Sequence, residues 1–384
     1  EGQISRESVK AAMARGKAAA GDLIPWTISQ QFLENDFATL SGARVVRIAT
    51  HPDATGMGYG SHAIEMLAKY YQGEIVSVED GDGSESAKEK AVSTKDANSS
   101  GDSLGGETIK PRKNLPPLLT PLDQRPPAQL HYLGVSFGIT TKLFNFWSRA
   151  NFVPVYMRQT ANDLTGEHTC IMVRPLDCQD MDTAPDAGWV DHFSADFAKR
   201  VMYLLSSSFR SLHVELALSV INACNPALKR LGKPITGSEM SLFISPNDTM
   251  RLEAYAKNMA DYRLITDMLP SIAKMYFLGQ YDKSFRLSAL QSAVLVGIGL
   301  QCHSIDAIAR QVKLPGTQLL AMFNKAVRKV ASYLKAFEEA EVAKELEPQL
   351  SKIHSKKNGS KKSKTPPSST KTSKTPSSKM DGKD

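Results

Sequence analysis

The chain has 384 residues, with 47 Lys and Arg against 40 Asp and Glu and a formal net charge of +7. This length favours two or three domains, because a single hydrophobic core stops growing beyond about 250–300 residues. A hydrophobic fraction of 41% excludes a wholly disordered chain. Residues 351–384 hold ten Lys and two acidic residues, which leaves 37 basic and 38 acidic side chains on the other 350 residues. The charge therefore points to a polyanion only through this tail.

Three further features limit the class of protein: the cysteines, the apolar runs and the first residue. The four cysteines are too few and too scattered for a disulfide framework or a zinc site, so we predict reduced thiols and no metal. The longest apolar run, residues 293–300, is far shorter than the ~18–20 residues of a membrane span. The chain begins with Glu1 rather than Met, which suggests a piece of a larger protein.

The first half of the chain has an α/β pattern that an insert interrupts. Hydrophobic spacing predicts elements on both sides of residues 76–128, which are rich in Gly, Ser, Asp, Glu and Lys and then in Pro. We interpret 76–128 as a disordered insert within one domain at 1–176, and a linker between two domains is the alternative. The predicted helices are 7–20, 60–71 and 140–150, and the predicted strands are 44–49, 131–137, 152–158 and 169–173.

Strand patterns disappear after residue 186. The remaining periodicity is helical, with Ser245 and Pro246 as an N-cap and first-turn proline, and it predicts an all-α domain at 186–346. The tail at 351–384 alternates Lys with Ser, Thr and Pro, which predicts disorder. The predicted helices are 193–201, 212–224, 248–259, 287–300, 305–312 and 318–346.

A glycine-rich turn joins the strand at 44–49 to the helix at 60–71. Gly56, Gly58 and Gly60 allow backbone N–H groups to approach an anion, and the helix N-terminus adds partial positive charge. This pattern favours a phosphate or pyrophosphate site, with an ordinary strand–turn–helix as the alternative. No Lys-Ser/Thr pair follows, and the third glycine comes too early for a dinucleotide fingerprint, so both of those phosphate loops are excluded.

Residues 55–60 resemble the acetyl-CoA loop of GNAT acetyltransferases, Arg/Gln-x-x-Gly-x-Gly/Ala, except that Thr55 replaces Arg or Gln. Longer segments in the same order resemble the C-terminal portion of the RNA cytidine acetyltransferases over most of residues 1–335, excluding 76–114. These segments are EGQISRESV, GDLIPWTISQQF, VVRIATHPDATGMGYGS, LHYLGVSFGIT, FWSRANFVPVYMRQTANDLTGEHTCIMVRPL and FNKAVRKV.

The resemblance implies a GNAT-type mixed twisted sheet with flanking helices at 1–176, followed by an all-α RNA-binding domain at 186–346. The first strands of the sheet and an ATP-hydrolysing helicase-like domain would precede Glu1. We therefore expect an open sheet edge and weak or no activity in this fragment alone.

The resemblance also implies transfer of acetyl from acetyl-CoA to the exocyclic amine of cytidine in rRNA and tRNA. ATP and Mg²⁺ would act only through the upstream domain. A role in ribosome biogenesis in the nucleus and nucleolus is implied, with no membrane. A tRNA-delivering adaptor protein and a homodimer remain open.

For the acetyl-CoA site the resemblance implies three groups of residues. Ile48, Ala49 and Thr50 would line the pantetheine arm, and Arg149 would reach a CoA phosphate, although a solvated helix charge also explains Arg149. The pyrophosphate would be held by Thr55, Gly56, Met57, Gly58, Tyr59, Gly60 and Ser61.

The catalytic residue stays unassigned. Many GNAT enzymes have a Tyr general acid four residues before a Gly-Phe pair, and here Trp147 and Asn151 occupy the Tyr and Gly positions. The acid–base candidates near the expected cleft each have a structural alternative, which for His51 is a cap. These candidates are His51, Asp53, Glu167 and His168. The alternative is that the catalytic base of the family is a residue upstream of this chain.

Residues 304–330 have the spacing of a helix-turn-helix. Lys325, Arg328 and Lys329 fall on one face of its last helix, with Lys335 nearby. This face suits RNA phosphates, and an ordinary solvated face beside Glu338 and Glu339 is the alternative.

Two other functions remain open. One is a GNAT enzyme that acetylates protein amines, for which the helical domain would be superfluous. The other is a non-catalytic RNA-binding factor in ribosome assembly, which the substitutions at Thr55, Trp147 and Asn151 keep in view.

Overall fold

The computed structural model describes residues 1–16, 21–75, 127–177 and 188–359. The predicted insert lies outside these residues except for 127–128, and the predicted tail lies outside them except for 351–359. Those last residues are helical, because the final helix ends at Gly359 rather than near residue 346.

The first half consists of a mixed sheet with flanking helices, as the resemblance implies. Its helices are α1 (Arg6–Ala14), α2 (Leu23–Phe32), α3 (Tyr59–Tyr71) and α4 (Thr141–Arg149). Its strands are β1 (Gly42–Val45), β2 (Tyr132–Gly138), β3 (Val153–Met157) and β4 (Thr169–Pro175).

Within its described residues, the second half contains helices and no strands. Its helices are α5 (Trp189–Leu204), α6 (Val214–Leu231), α7 (Gly237–Met240), α8 (Pro246–Ala256), α9 (Leu269–Phe277), α10 (Ala289–Leu295), α11 (Ile305–Val312) and α12 (Gly316–Gly359). A π-helical turn, Val296–Leu300, extends α10. No helix within the described ranges combines the length and apolarity that a membrane crossing requires.

The four strands lie in the order β1-β2-β4-β3. β1 runs parallel to β2, whereas β4 is antiparallel to both β2 and β3. At the outer edge of β1 the backbones of Glu1 and Gly42 exchange hydrogen bonds of 2.7 and 2.8 Å. The start of the chain therefore pairs with the beginning of this edge strand.

Both faces of the sheet are buried. On one face, Leu133 and Val135 of β2 pack with Ile64 of α3 and Trp147 of α4. On the other face, Tyr132 packs with residues of α2 and with the start of α5. The alternation along β2 follows the period of two that a strand requires.

Helices α5 and α6 share a core with the sheet. Phe197 and Val201 of α5 and Val220 of α6 belong to the same buried cluster as Met172 of β4. Asp191, almost fully buried at the start of α5, makes a bidentate ion pair with Arg230 near the end of α6. These contacts tie α5 and α6 to each other and to β3, the other edge strand.

The chain divides into two compact units whose bounds differ from the predicted domain boundary. The first unit comprises Glu1–Pro234 and Thr266–Phe323, and the second comprises Ile235–Ile265 and Asn324–Asp384. The predicted boundary between residues 176 and 186 therefore falls inside the first unit, because α5 and α6 complete the core of the sheet.

Close packing between α2 and β2 generates a first prediction. A Cβ at Gly134 would lie 2.3 Å from Cδ1 of Ile24, which is fully buried. Gly134→Ala should lower the free energy of unfolding by about 1–3 kcal/mol, since overpacking shifts side chains and backbone. The additional change Ile24→Val removes the clashing carbon and should restore part of the loss. Urea unfolding of the two variants measures this, and equal stability of Gly134→Ala and the parent would contradict the packing.

Candidate functional site

The ladder between β1 and β2 ends early. Their last pair is Val45↔Val135, whereas β2 stays paired with β4 as far as Gly138↔Thr169. The strand predicted at 44–49 is observed at Gly42–Val45, which is shorter and begins earlier in the chain. Pairing with β2 stops at Val45 although β-branched residues continue beyond it. The segment after β1 leaves one edge of β2 open, where backbone N–H and C=O groups are available to an extended ligand.

The predicted pantetheine residues lie in this diverging segment. Ile48 and Thr50 are half-buried, and Ala49 is exposed. A Cβ at Gly60 would lie 3.8 Å from Cδ1 of Ile48 and 3.4 Å from the ring of Phe146 in α4. Ile48 therefore lies close to the first turn of α3 and to α4, as a shared ligand site requires.

Two glycines in the turn before α3 adopt backbone conformations that disfavour other residues. The φ angles are 86° at Gly56 and 92° at Gly58, and a Cβ at either position would meet no atom of the described residues within 4 Å. The requirement for glycine is thus conformational rather than steric. The space beside these backbone groups is open.

The N-terminus of α3 is uncapped. Its first intrahelical bond runs from the His62 N–H to the Gly58 carbonyl at 2.9 Å, so the N–H groups of Tyr59, Gly60 and Ser61 have no partner in the preceding turn. No side chain among the described residues caps this end. Free N–H groups and the positive end of the helix dipole suit an anion such as a pyrophosphate.

The loop preceding these glycines is a short 3₁₀ turn, Pro52–Ala54. The Thr55 hydroxyl donates to the His51 carbonyl at 3.2 Å. Thr55 thus stabilises the turn, and Met57 and Tyr59 are largely exposed beside it. Together with Gly56, Gly58, Gly60 and Ser61, these residues form one contiguous exposed loop and first helical turn.

Arg149 lies in the last turn of α4 and is exposed. It makes no ion pair with any residue that the structure describes. The helix ends in a Schellman arrangement: the Phe152 N–H donates to the Trp147 carbonyl at 3.1 Å, and Asn151 has a φ of 64°. Asn tolerates this left-handed conformation better than most residues, which explains how it replaces Gly here.

Trp147 is a core residue. It is 4% exposed and packs against Phe137, Phe146 and Phe152, with ring centroids 4.9 to 6.3 Å apart. Its side chain therefore orients α4 on the sheet.

Sequence reasoning missed Arg174, which connects the two helices that border the site. From β4 its guanidinium donates to the Glu65 carboxylate of α3 at 3.3 Å and to the Ala150 carbonyl after α4 at 3.2 Å. The Arg174 side chain is 12% exposed. A single buried cation thus fixes both the helix that begins at Tyr59 and the helix that carries Arg149.

Two of the acid–base candidates lie in the turn after β1, where His51 is the cap. His51 accepts a hydrogen bond through Nδ1 from the Asp53 N–H at 3.4 Å and lies 3.6 Å from the Asp53 carboxylate. Both side chains are mostly exposed, 74% for His51 and 92% for Asp53. The capping role of His51, one of the two alternatives from the sequence, is present in the structure.

The other two candidates lie at the far end of β2. A Cβ at Gly138 would be 2.2 Å from Oε2 of Glu167, so this carboxylate lies directly against the last residue of the strand. His168 is 5% exposed, and its Nδ1–H donates to the Arg158 carbonyl at 2.9 Å. The His168 ring packs edge-on against Phe209 at 5.1 Å. Glu167 therefore faces the open end of β2, whereas His168 is held by the fold.

Two of the described cysteines, Cys170 and Cys224, are buried, whereas Cys302 is exposed. Burial raises the pKa of the Cys224 thiol to about 12 and that of Cys170 further still, which disfavours a nucleophilic thiolate. Within the described ranges no three His, Cys, Asp or Glu side chains are grouped to hold a metal ion.

The predicted RNA-binding residues belong to the second unit, on α12. Arg328 donates to the Ala256 carbonyl at 3.1 Å and to Oδ1 of Asn258 at 3.3 Å, where it closes the end of α8. Lys335 pairs with Glu253 at 3.3 Å. Lys325 and Lys329 are exposed. Two of the four cations therefore also stabilise the unit itself.

The Arg174 contacts generate a second prediction. Arg174→Leu should lower the free energy of unfolding by about 2–3 kcal/mol, because hydrogen bonds to charged groups contribute about 1.5–3 kcal/mol and the Ala150 carbonyl loses a donor. Glu65→Gln should cost less, since the Glu65 side chain is 47% exposed. Urea unfolding measures both changes. A larger effect of Glu65→Gln than of Arg174→Leu would show that the Ala150 contact contributes little.

Two protein-family models match the chain. The family described as GNAT acetyltransferase 2 matches residues 1–177, and the family described as "Possible tRNA binding domain" matches residues 189–379. The chain is 46% identical over 350 residues to the RNA cytidine acetyltransferase of Homo sapiens, covering 90% of this chain and 33% of that protein.

Two further relatives give the same result. The RNA cytidine acetyltransferase of Saccharomyces cerevisiae is 44% identical over 87% of this chain and 32% of its own length. The RNA cytidine acetyltransferase 1 of Arabidopsis thaliana is 39% identical over 92% of this chain and 34% of its own length. The chain spans about one third of the length of these curated relatives. It is therefore a member of the RNA cytidine acetyltransferase family and carries a GNAT acetyltransferase domain followed by a domain of the possible tRNA-binding family.

Proposed function

We propose that this chain forms the acetyl-transferring and RNA-contacting part of an RNA cytidine acetyltransferase. It would transfer the acetyl group of acetyl-CoA to the exocyclic amine of cytidine in rRNA and tRNA. The observation that carries the proposal is the uncapped N-terminus of α3, which follows two glycines with positive φ and borders the open edge of β2. The names of the relatives supply the acceptor class.

The described residues fit acetyl-CoA. The open space at Gly56 and Gly58 admits a pyrophosphate to the free N–H groups of α3. The segment containing Ile48, Ala49 and Thr50 would hold the pantetheine arm along the edge that β1 leaves open. Arg149 would bind a further CoA phosphate, as an exposed guanidinium with no carboxylate partner among the described residues.

Acetyl-CoA supplies an activated thioester, so the chain has mainly to orient the acceptor and to take up a proton. The amine of cytidine is a weak nucleophile, because its lone pair is conjugated with the ring. Among the four candidates, Glu167 best suits the role of proton acceptor, since its carboxylate lies at the open end of β2. His51 and Asp53 would then stabilise the turn, and His168 would orient the backbone beside Glu167.

Other parts of the proposal rest on the resemblance alone. ATP and Mg²⁺ would bind residues outside this chain. A tRNA-delivering adaptor protein and a homodimer would be partners of the longer protein. A role in ribosome biogenesis would require the nucleus and nucleolus as its location, to which the Lys-rich tail would contribute non-specific attraction for RNA.

The rival functions are less well supported. A protein N-acetyltransferase does not need a domain of the possible tRNA-binding family, which matches residues 189–379. A non-catalytic RNA-binding factor would have no reason to keep an open loop with two glycines at positive φ. The Asn151 substitution, which had favoured that reading, is compatible with an intact helix end.

Acetyl-CoA binding is tested by a matched pair of substitutions at Gly58. Both Gly58→Glu and Gly58→Gln strain a backbone with a φ of 92°, but only Glu adds a negative charge to the anion site. The Glu variant of the full-length protein should bind acetyl-CoA about tenfold more weakly than the Gln variant, a difference of about 1.4 kcal/mol. Isothermal calorimetry measures both, and equal affinities would refute the phosphate assignment.

The acceptor is tested with RNA and protein substrates offered to the full-length protein with acetyl-CoA, ATP and Mg²⁺. We expect acetylated cytidine in a nuclease digest of structured RNA, detected by mass spectrometry. The same RNA with uridine in place of each cytidine should remain unmodified. Acetylation of lysine-containing peptides in preference to this RNA would support the protein N-acetyltransferase instead.

A further inference from the structure

A surface of the first unit combines cations with an aromatic ring. It is built from Tyr203 at the end of α5, Arg210 in the turn before α6, Lys274 of α9 and His303 after the π-helical turn. Lys274 lies against the Tyr203 ring, and both Lys274 and Arg210 interact with Cys302, the residue before His303. We call these four residues the Tyr203 surface. None of them is among the residues assigned above to RNA, which all lie on α12 in the second unit.

Tyr203 presents an aromatic face to solvent. Its side chain is 63% exposed, and Nζ of Lys274 lies 3.8 Å from the ring centroid. This cation–π contact holds one face of the ring and concentrates positive charge beside it. Lys274 is half-buried, and this burial lowers the pKa of its ammonium group.

Arg210 is held in a defined position by the neighbouring turn. Its guanidinium donates to the Cys302 carbonyl at 3.1 Å, and its own carbonyl is bonded by the His303 ring at 2.9 Å and by the Gln301 amide at 3.3 Å. The Arg210 side chain is exposed. Within the part of the chain that the structure describes, neither Arg210 nor Lys274 pairs with a carboxylate. Two cations therefore lack an internal counter-charge.

Buried side chains connect the turn that carries Arg210 to the candidate site. Phe209, which precedes Arg210, is fully buried and packs against His168 at 5.1 Å. His168 in turn follows Glu167, whose carboxylate lies against Gly138 at the open end of β2. Arg210 therefore follows a residue that packs beside the end of β2, the part of the sheet where the proposed function places the acceptor amine.

We propose that the Tyr203 surface binds the RNA segment next to the modified cytidine, with Arg210 and Lys274 contacting phosphates and the Tyr203 ring stacking on a base. The proposal rests on the proposed function, because it concerns the same RNA. Arg210 and Lys274 have no carboxylate partner among the described residues and therefore suit phosphates, and the exposed Tyr203 ring beside Lys274 suits a base in a single strand. An acidic peptide would use the cations but would leave the ring without a role, so the combination favours RNA.

The proposal is tested with the full-length protein and a fluorescently labelled RNA stem-loop that carries cytidine in its single-stranded loop. Arg210→Gln and Lys274→Gln should each reduce the slope of log affinity against log salt by about 0.7–0.9, the value for one lost phosphate contact. Arg210→Lys keeps the charge and should keep the slope. Tyr203→Ala should weaken binding about fivefold or more with little change in slope, and Tyr203→Phe should restore it.

Lys10→Gln is the matched control, because Lys10 is an exposed cation on α1 and should change neither slope nor affinity. Melting temperatures of all variants are compared, so that a loss of binding by an unfolded variant is recognised. The proposal would be overturned if correctly folded Arg210, Lys274 and Tyr203 variants bound RNA with the slope and affinity of the wild type. It would also be overturned if these variants lost binding to a polyglutamate peptide but kept binding to RNA. If the parent protein acetylates the stem-loop and the variants bind it normally, only this surface is wrong. If the parent neither binds nor acetylates it, the proposed function fails first.

Discussion

The candidate site depends on the early end of one strand pair. β1 and β2 are paired only from Gly42↔Tyr132 to Val45↔Val135, whereas β2 continues to Gly138 along β4. Because β4 holds β2 in place, the segment after β1 is free to diverge and to enter the glycine turn. The same divergence leaves the open edge of β2 next to the uncapped first turn of α3. Strand geometry and helix geometry thus produce one site together.

The packing around the site keeps this divergence in a fixed shape. Trp147 anchors α4 in the core, and Arg174 connects the end of α4 to α3 through Ala150 and Glu65. Neither residue has to contact a ligand in order to affect binding. Each fixes the position of backbone groups that would contact the ligand, and a glycine-rich loop thereby becomes a defined anion site.

The sequence predicted local features well and non-local ones poorly. Helix α11 was predicted at its observed bounds, because its apolar spacing and Ser304 cap are contained within a few residues. Helix α2 was not predicted, since Ile24, Trp26 and Ile28 are all buried and give no amphipathic pattern.

Other differences have causes outside the local segment. The strand predicted at 44–49 ended early because the extent of pairing is set by the partner strand. The π-helical turn at Val296–Leu300 replaced regular helix where Gly297 packs closely against Ile308 and Gly299 against Ala273. The contacts of Arg174 and His168 join residues that are distant in the chain, and no spacing rule could have revealed them.

The charge of the chain also has to be considered locally. The chain outside residues 351–384 is close to neutral, so a general electrostatic attraction for RNA can come only from the tail. On α12, Lys335 pairs with Glu253 of the second unit, which reduces the charge that Lys335 offers to a ligand. In the first unit, Arg210 and Lys274 have no carboxylate partner among the described residues. A cation without an internal partner gains more from a phosphate than one that must give up an ion pair. Specific placement of RNA therefore depends less on how many Lys and Arg residues the chain has than on which of them the fold leaves unpaired.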